Sequence, residues 1–166
     1  MTTKTCGIRL ATERDIPALG DMANELQDYL NGLEEPGEPP EPAALTTDVL
    51  RRDGFGDDPW FNVLLAEDAG APVGYLLYHF GYWPDHAART LFVADLFVRE
   101  ATRGQGAGTA LMTEATRILR RRGGKLILWT VWARNPAAVA FYQRLGITAA
   151  KDEMIMMWPD TAWPAT

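Results

Sequence analysis

Apolar and polar positions change their period repeatedly along the chain, and each change marks an element. Ile8-Arg9-Leu10-Ala11-Thr12 alternates with the two-residue period of a strand. Thr12-x-x-Asp15, followed by Ile16 and Pro17, opens a helix that runs to about Tyr29. A short helix is expected over Thr47 to Asp53. Two strands follow, Trp60 to Glu67 and Val73 to Gly81, joined by the turn Asp68-Ala69-Gly70-Ala71-Pro72. Trp83 to Arg89 reads as a loop before the apolar run Leu91 to Val98, and an amphipathic helix begins at Thr109. Leu126 to Trp132 reads as a buried strand. Asn135 can cap a further helix, Pro136 suits its first position and Gly146 can end it. Met154 to Trp158 is expected as a last strand. The pattern predicts an α+β fold: a mixed sheet flanked by helices, with one long βαβ unit.

At 166 residues the chain fits one domain over 1–166, with neither repeats nor a second domain evident. Residues 31–43 are rich in proline and glutamate and predict a mobile acidic surface loop, with a sharper reading as a lip that draws in cationic amines. Residues 159–166, including Trp163, are expected to form a mobile tail. No apolar run approaches the roughly 20 residues a membrane span needs, and the N-terminal residues lack a signal peptide's apolar stretch, so a cytoplasmic location is expected. The single cysteine, Cys6, cannot form an internal disulfide. His79 and His86 belong to no cluster with metal-ligand spacing, so no metal is expected.

Charge changes the picture once it is divided. Arg99 to Lys125 holds seven basic and two acidic residues, a net of +5 in a chain of net −6, so the remainder sums to −11. Such segregation suits an enzyme that meets an anionic cofactor at one place and a cationic substrate at another. Arg120-Arg121-Arg122 ends a helix and lacks interleaved aromatics; it reads as a solvated helix end, and no nucleic acid is expected as a partner.

The chemistry concentrates in Arg103-Gly104-Gln105-Gly106-Ala107-Gly108, set between an apolar run and a helix. Glycines there let a ligand approach the backbone, and the helix start offers unpaired N–H groups to an anion. Three readings compete. A dinucleotide loop would read G-x-G-x-x-G near a first strand, and a Walker loop would need a lysine that is absent. The third is the Arg/Gln-x-x-Gly-x-Gly/Ala loop of the GCN5-related N-acetyltransferases, which Arg103-x-x-Gly106-x-Gly108 matches. An ordinary helix entry would also use glycine.

A second segment, Asn135-x-x-Ala138-x-x-x-Tyr142-x-x-x-Gly146, resembles the pattern of the same superfamily, about 30 residues on and in the same order. Ala138 and Tyr142 are four apart and share a helix face. Glu25-Leu26-x-x-Tyr29, Asp53-Gly54-Phe55-Gly56-x-x-Pro59, Val73-Gly74-Tyr75 and Asp95-Leu96-Phe97-Val98 resemble the spermidine/spermine (diamine) acetyltransferases over nearly the whole chain, Ile8 to Trp158.

That resemblance implies a mostly antiparallel sheet with a βαβ acetyl-CoA-binding core, a homodimer, and an acetyl transfer to the primary amine of a small molecule. It implies that the backbone of Leu96, Phe97 and Val98 binds the pantetheine like an added strand and polarises the carbonyl. Arg103, Gly104, Gln105, Gly106, Ala107, Gly108 and Thr109 would hold the pyrophosphate, and Asn135 and Ala138 would border the pantetheine arm. Tyr142 would donate the proton to sulfur. The relatives carry an acidic pair on the strand. Here the first position is Ala94 and only Asp95 remains, so Asp95 is the expected site carboxylate. Two further family acids correspond to Trp83 and Leu30. Tyr29, Trp83 and Trp132 could enclose a shorter or more apolar amine, with Glu153 as a remaining anionic contact. Protein or peptide acetylation, and an acyl-CoA sensor that lost its base, stay as the alternatives.

Overall fold

The computed structural model describes residues 6–150, 155–157, 159 and 161, which fall into one compact unit running to Asn135 and a second beginning at Pro136. In the first unit five strands lie in sequence order: β1 (Gly7–Leu10), β2 (Asn62–Asp68), β3 (Ala71–Trp83), β4 (Ala88–Val98) and β5 (Leu126–Trp129). The first three neighbouring pairs are antiparallel, and only β4 and β5 run parallel, linked by helix α3 (Ala107–Arg121). This is the mixed, mostly antiparallel sheet with one βαβ unit that the pattern and the resemblance predict.

Strand alternation divides the apolar residues between two layers. Helix α1 (Ile16–Asn31) buries Ile16, Leu19 and Met22, at helical spacing, against Val63, Leu65, Tyr75, Leu77 and Phe97 of the sheet. Leu50 joins this layer from a π-helical turn that continues the short helix α2 (Thr47–Val49). The opposite phase of the strands, with Leu64, Leu76, Leu91 and Val93, is buried on the side of α3, which contributes Leu111, Met112, Ala115 and Leu119. The expected Thr12–Asp15 capping box forms: the Thr12 backbone N–H donates to Asp15 Oδ2 at 2.7 Å, one 3-10 turn ahead of α1. Asp15 also accepts a two-pronged bond from Arg9, at 2.7 and 2.8 Å, and Arg9 reaches Glu67 as well. The edge strand, the start of α1 and the end of β2 are thereby tied through one guanidinium.

Several boundaries differ from expectation: α3 begins at Ala107 rather than Thr109, β2 at Asn62 rather than Trp60, and β3 extends at both ends to Ala71 and Trp83. The loop expected over Trp83 to Arg89 shrinks to four residues, because β3 and β4 stay paired as far as Trp83 and Ala88 and Ala87 closes the turn at φ 42°. The strand expected to reach Trp132 stops at Trp129, because β4 offers it no paired edge beyond Val93. Of the strand expected over Met154 to Trp158, both end residues lie outside the described ones. Ile155, Met156 and Met157 between them are exposed and have no regular structure, since no strand among the described residues pairs with them.

The acidic segment after α1 has no helix or strand. It is clasped at both ends, with Asn31 Nδ2 donating to the Glu41 carbonyl and the Glu41 N–H donating back to Asn31 Oδ1. In the second unit, α4 (Pro136–Arg144) ends as expected at Gly146, where φ is 77°. The Gly146 and Ile147 N–H groups there bond the Gln143 and Tyr142 carbonyls. No helix among the described residues is long and apolar enough to cross a membrane.

Candidate active site

Strand β4 positions the site. It pairs with β3 over its whole length but with β5 only from Thr90 to Val93. Leu77 faces Asp95 while its neighbour Tyr78 faces Val93, so Ala94 is an extra residue in the ladder. A bulge of this kind bends and twists a strand. Pairing between the two parallel strands ends at Val93, opposite the last residue of β5, and Asp95, Leu96, Phe97 and Val98 keep a β5-side edge that no described strand covers. Such an edge can take up an extended ligand as an added strand. The Phe97 side chain is 4% exposed in the core, so only its backbone can serve a ligand.

The edge runs directly into the glycine bend. After a 3-10 turn at Glu100–Thr102, Gly104 and Gly106 take φ of 77° and 93°, and nothing lies within 4 Å of a Cβ built on either. The first intrahelical bond of α3 runs from the Ala110 N–H to the Gly106 carbonyl. The N–H groups of Ala107, Gly108 and Thr109 thus have no carbonyl four residues back inside the helix. Left-handed glycines, open space above them and an N-terminal dipole form a cradle for a diphosphate. Coenzyme A, with a pyrophosphate and an extended pantetheine, fits both the cradle and the adjoining edge.

Around the end of β4 the first unit gathers residues that the sequence assigns to the site from separate segments. Arg103 Nε donates to the Val98 carbonyl at 2.9 Å. Its guanidinium lies 5.0 Å from the centroid of the Tyr29 ring and 5.9 Å from that of Phe97. The Tyr29 hydroxyl donates to Asn135 Oδ1 at 3.0 Å, joining the last turn of α1 to the segment after β5. Gln105 donates to the Ala101 carbonyl at 3.4 Å, inside the loop.

Asp95 shares a sheet face with Tyr75 and Phe97, and Tyr75 Oη donates to Asp95 Oδ2 at 2.5 Å. Burial pushes the Asp95 carboxyl above the usual carboxylate range, opposed by the Tyr75 bond and by one from the Leu96 N–H. The Tyr75 phenol is pushed far up, by burial first and then by the Asp95 charge, and remains a donor. Sequence reading missed Tyr75 in this role. The partners are 20 residues apart, and their alignment depends on the bulge at Ala94.

Trp132 is exposed on the β5 arm, with the Arg134 guanidinium 5.8 Å from its ring. Arg134 also pairs with Glu34 at 3.2 Å and Glu35 at 3.9 Å, drawing the acidic loop towards that arm. Trp83 is not brought to this group. It stands at the β3–β4 hairpin tip with its ring against His86, about 23 Å from Asp95 at ~3.3 Å per strand residue. Ala138 and Tyr142 lie one turn apart on α4 in the second unit, the Tyr142 ring edge-on to Phe141 at 5.1 Å. Glu153 lies outside the described residues. Among the described residues no group of His, Cys, Asp and Glu side chains could hold a metal ion.

Comparison with known proteins adds to this geometry. The sequence profile of the acetyltransferase (GNAT) family matches residues 21–147. The thialysine N-epsilon-acetyltransferase of Sus scrofa is 31% identical over 149 residues, covering 84% of this chain and 82% of that protein. Spermidine/spermine N(1)-acetyltransferase-like protein 1 of Homo sapiens is 30% identical over 146 residues, covering 84% of this chain and 20% of that longer protein. An integron cassette protein from the mobile metagenome of V. cholerae superposes with a TM-score of 0.78 at 20% identity, over 95% of this chain and 94% of that one, a likeness of fold.

Proposed function

The chain belongs to the acetyltransferase (GNAT) family, and from that premise we propose that it moves an acetyl group from acetyl-CoA to the primary amine of a small molecule by direct attack. The amine belongs to a diamine, a polyamine or an amino-acid-like compound. The observation that carries this reading is the continuous path from the uncovered β4 edge, residues 95–98, into the glycine bend at the start of α3. Acetyl-CoA supplies an activated acetyl thioester; the remaining work falls to residues of the chain.

Edge N–H groups of β4 hold the acetyl carbonyl and stabilise negative charge that develops on its oxygen. The loop from Arg103 to Thr109 holds the phosphates, with Asn135 and Ala138 along the pantetheine arm. A primary amine with a pKa of ~10.4 is neutral in only about one molecule in a few thousand at pH 7, so the attacking nitrogen must lose a proton. Asp95 accepts it. Its raised pKa brings it closer to the amine than an ordinary carboxylate, and Tyr75 keeps it oriented. Tyr142 Oη donates the proton that the departing sulfur takes up. Trp132 offers a ring face to the cationic substrate, as it does to Arg134. Glu153 completes the substrate side, and Trp83, at the far hairpin tip, takes no part in it. The protein works as a homodimer, a reading supported by the family resemblance and by the exposed Trp60 and Tyr82.

Thiol release from acetyl-CoA with a panel of diamines, polyamines, amino acids and peptides, at pH 7 and pH 9, tests the reading. Turnover with a small diamine or amino-acid amine supports it. Turnover confined to peptides, or coenzyme A binding with no turnover of any amine, overturns it.

A further inference from the structure

The contacts of Tyr29 with Arg103 and Asn135 assign it a second task, and we infer that Tyr29 is a positioning residue for the acetyl donor, holding Arg103 with its ring and Asn135 with its hydroxyl. The inference rests on the coenzyme A-binding reading and adds to it a residue that touches neither phosphate nor thioester.

Two groups meet at Tyr29 from far apart in the chain. Arg103 opens the glycine bend, and its exposed, long side chain would otherwise sample many rotamers. Here Nε is bonded to the Val98 carbonyl, and the guanidinium lies over the Tyr29 face at 5.0 Å. A cation over an aromatic face is held by the ring quadrupole. The charge is thereby fixed where the β4 edge gives way to the phosphate cradle, before any anion arrives, which lowers the entropy lost on binding. Asn135 stands 106 residues from Tyr29 on the segment that follows β5, and the phenol bond to its Oδ1 sets which way its amide faces. One side chain at the end of α1 thus braces both sides of the gap between β4 and β5.

Ring and hydroxyl can be separated. Tyr29→Phe keeps the ring and removes the bond to Asn135, whereas Tyr29→Leu removes both. Calorimetric titration with coenzyme A, on protein whose fold is checked by circular dichroism, reads the effect without turnover. We expect affinity to fall about 3-fold for Tyr29→Phe and at least 10-fold for Tyr29→Leu. In an Arg103→Gln background the Leu variant is expected to lose no more than the Phe variant does, because the ring acts through Arg103. In an Asn135→Ala background Tyr29→Phe is expected to change nothing. Wild-type affinity in Tyr29→Leu overturns the inference, as does a loss that simply adds to that of Arg103→Gln. Should Tyr29→Leu fail to fold, Tyr29→Phe decides: a loss that vanishes with Asn135→Ala supports the bracing role, and unchanged affinity overturns it. Failure of the wild-type protein to bind coenzyme A would instead remove the proposed function itself.

Discussion

The Tyr75 hydroxyl donates to the Asp95 carboxylate across β3 and β4, within the layer that the sheet forms with α1. Asp95 lies two residues beyond Val93, the last residue of β4 paired with β5. The bulge at Ala94 puts it on the face of Tyr75 and Phe97. The carboxylate is thus partly desolvated, held by a phenol, and placed where the two strands part.

The pH dependence follows from opposing influences on that carboxyl. Burial raises its pKa, and the bond from Tyr75 lowers it. Tyr75→Phe removes the lowering influence, so the pKa rises further. The acid limb of the kcat/KM profile should then move to higher pH, with a loss of about 1–2 kcal/mol in stability from the missing bond. An acid limb that stays in place, in a variant that folds, would remove Asp95 as the proton acceptor.

Tyr142→Phe tests the other end of the reaction. Loss of a general acid is expected to lower kcat by about 10²-fold or more while coenzyme A affinity stays within a few-fold of wild type. The pair of measurements separates proton donation from a packing role, since a packing defect would weaken binding as well. An unchanged kcat rejects the role.

Gly106→Ala addresses the cradle. The position has φ of 93° and open space where a Cβ would project, so the substitution strains the backbone without a clash. A cost of about 1–2 kcal/mol in denaturant unfolding is expected. Coenzyme A affinity should fall at least 10-fold, because the new methyl occupies the space through which phosphates approach the α3 amides.

Much of this was legible in the sequence because it is local. The helix starts at Thr12-x-x-Asp15 and Pro136, the end at Gly146 and the glycine bend each depend on a few consecutive residues, and all formed as read. Contacts fixed by strand register were not legible. Nothing near Asp95 in sequence announces Tyr75, because one extra residue at Ala94 decides which side chains share a face. The early end of β5 at Trp129 has the same source. The family pattern alone places Tyr29 towards the amine. Its contacts with Arg103 and Asn135 arise from three segments that only the fold brings together.

Acid stability provides a test outside the site. Asp15 is 8% exposed, and its bonds from Arg9, then from Thr12, hold its pKa down at about 2, against 3.8 for a free carboxyl. A carboxyl whose pKa is lower in the folded state stabilises the fold above its unfolded value and loses that contribution as pH falls. The window therefore runs from just above pH 4 down to about 2. The shift corresponds to about 2 kcal/mol; because the Arg9 side chain is 40% exposed, solvent screening brings the expected contribution to about 1–2 kcal/mol at neutral pH. Urea unfolding between pH 7 and pH 2 should show this part of the stability disappearing in that window for the wild type and missing throughout for Asp15→Asn. Parallel pH profiles for the two proteins would mean that the Arg9–Asp15 pair contributes nothing to holding β1 against the start of α1.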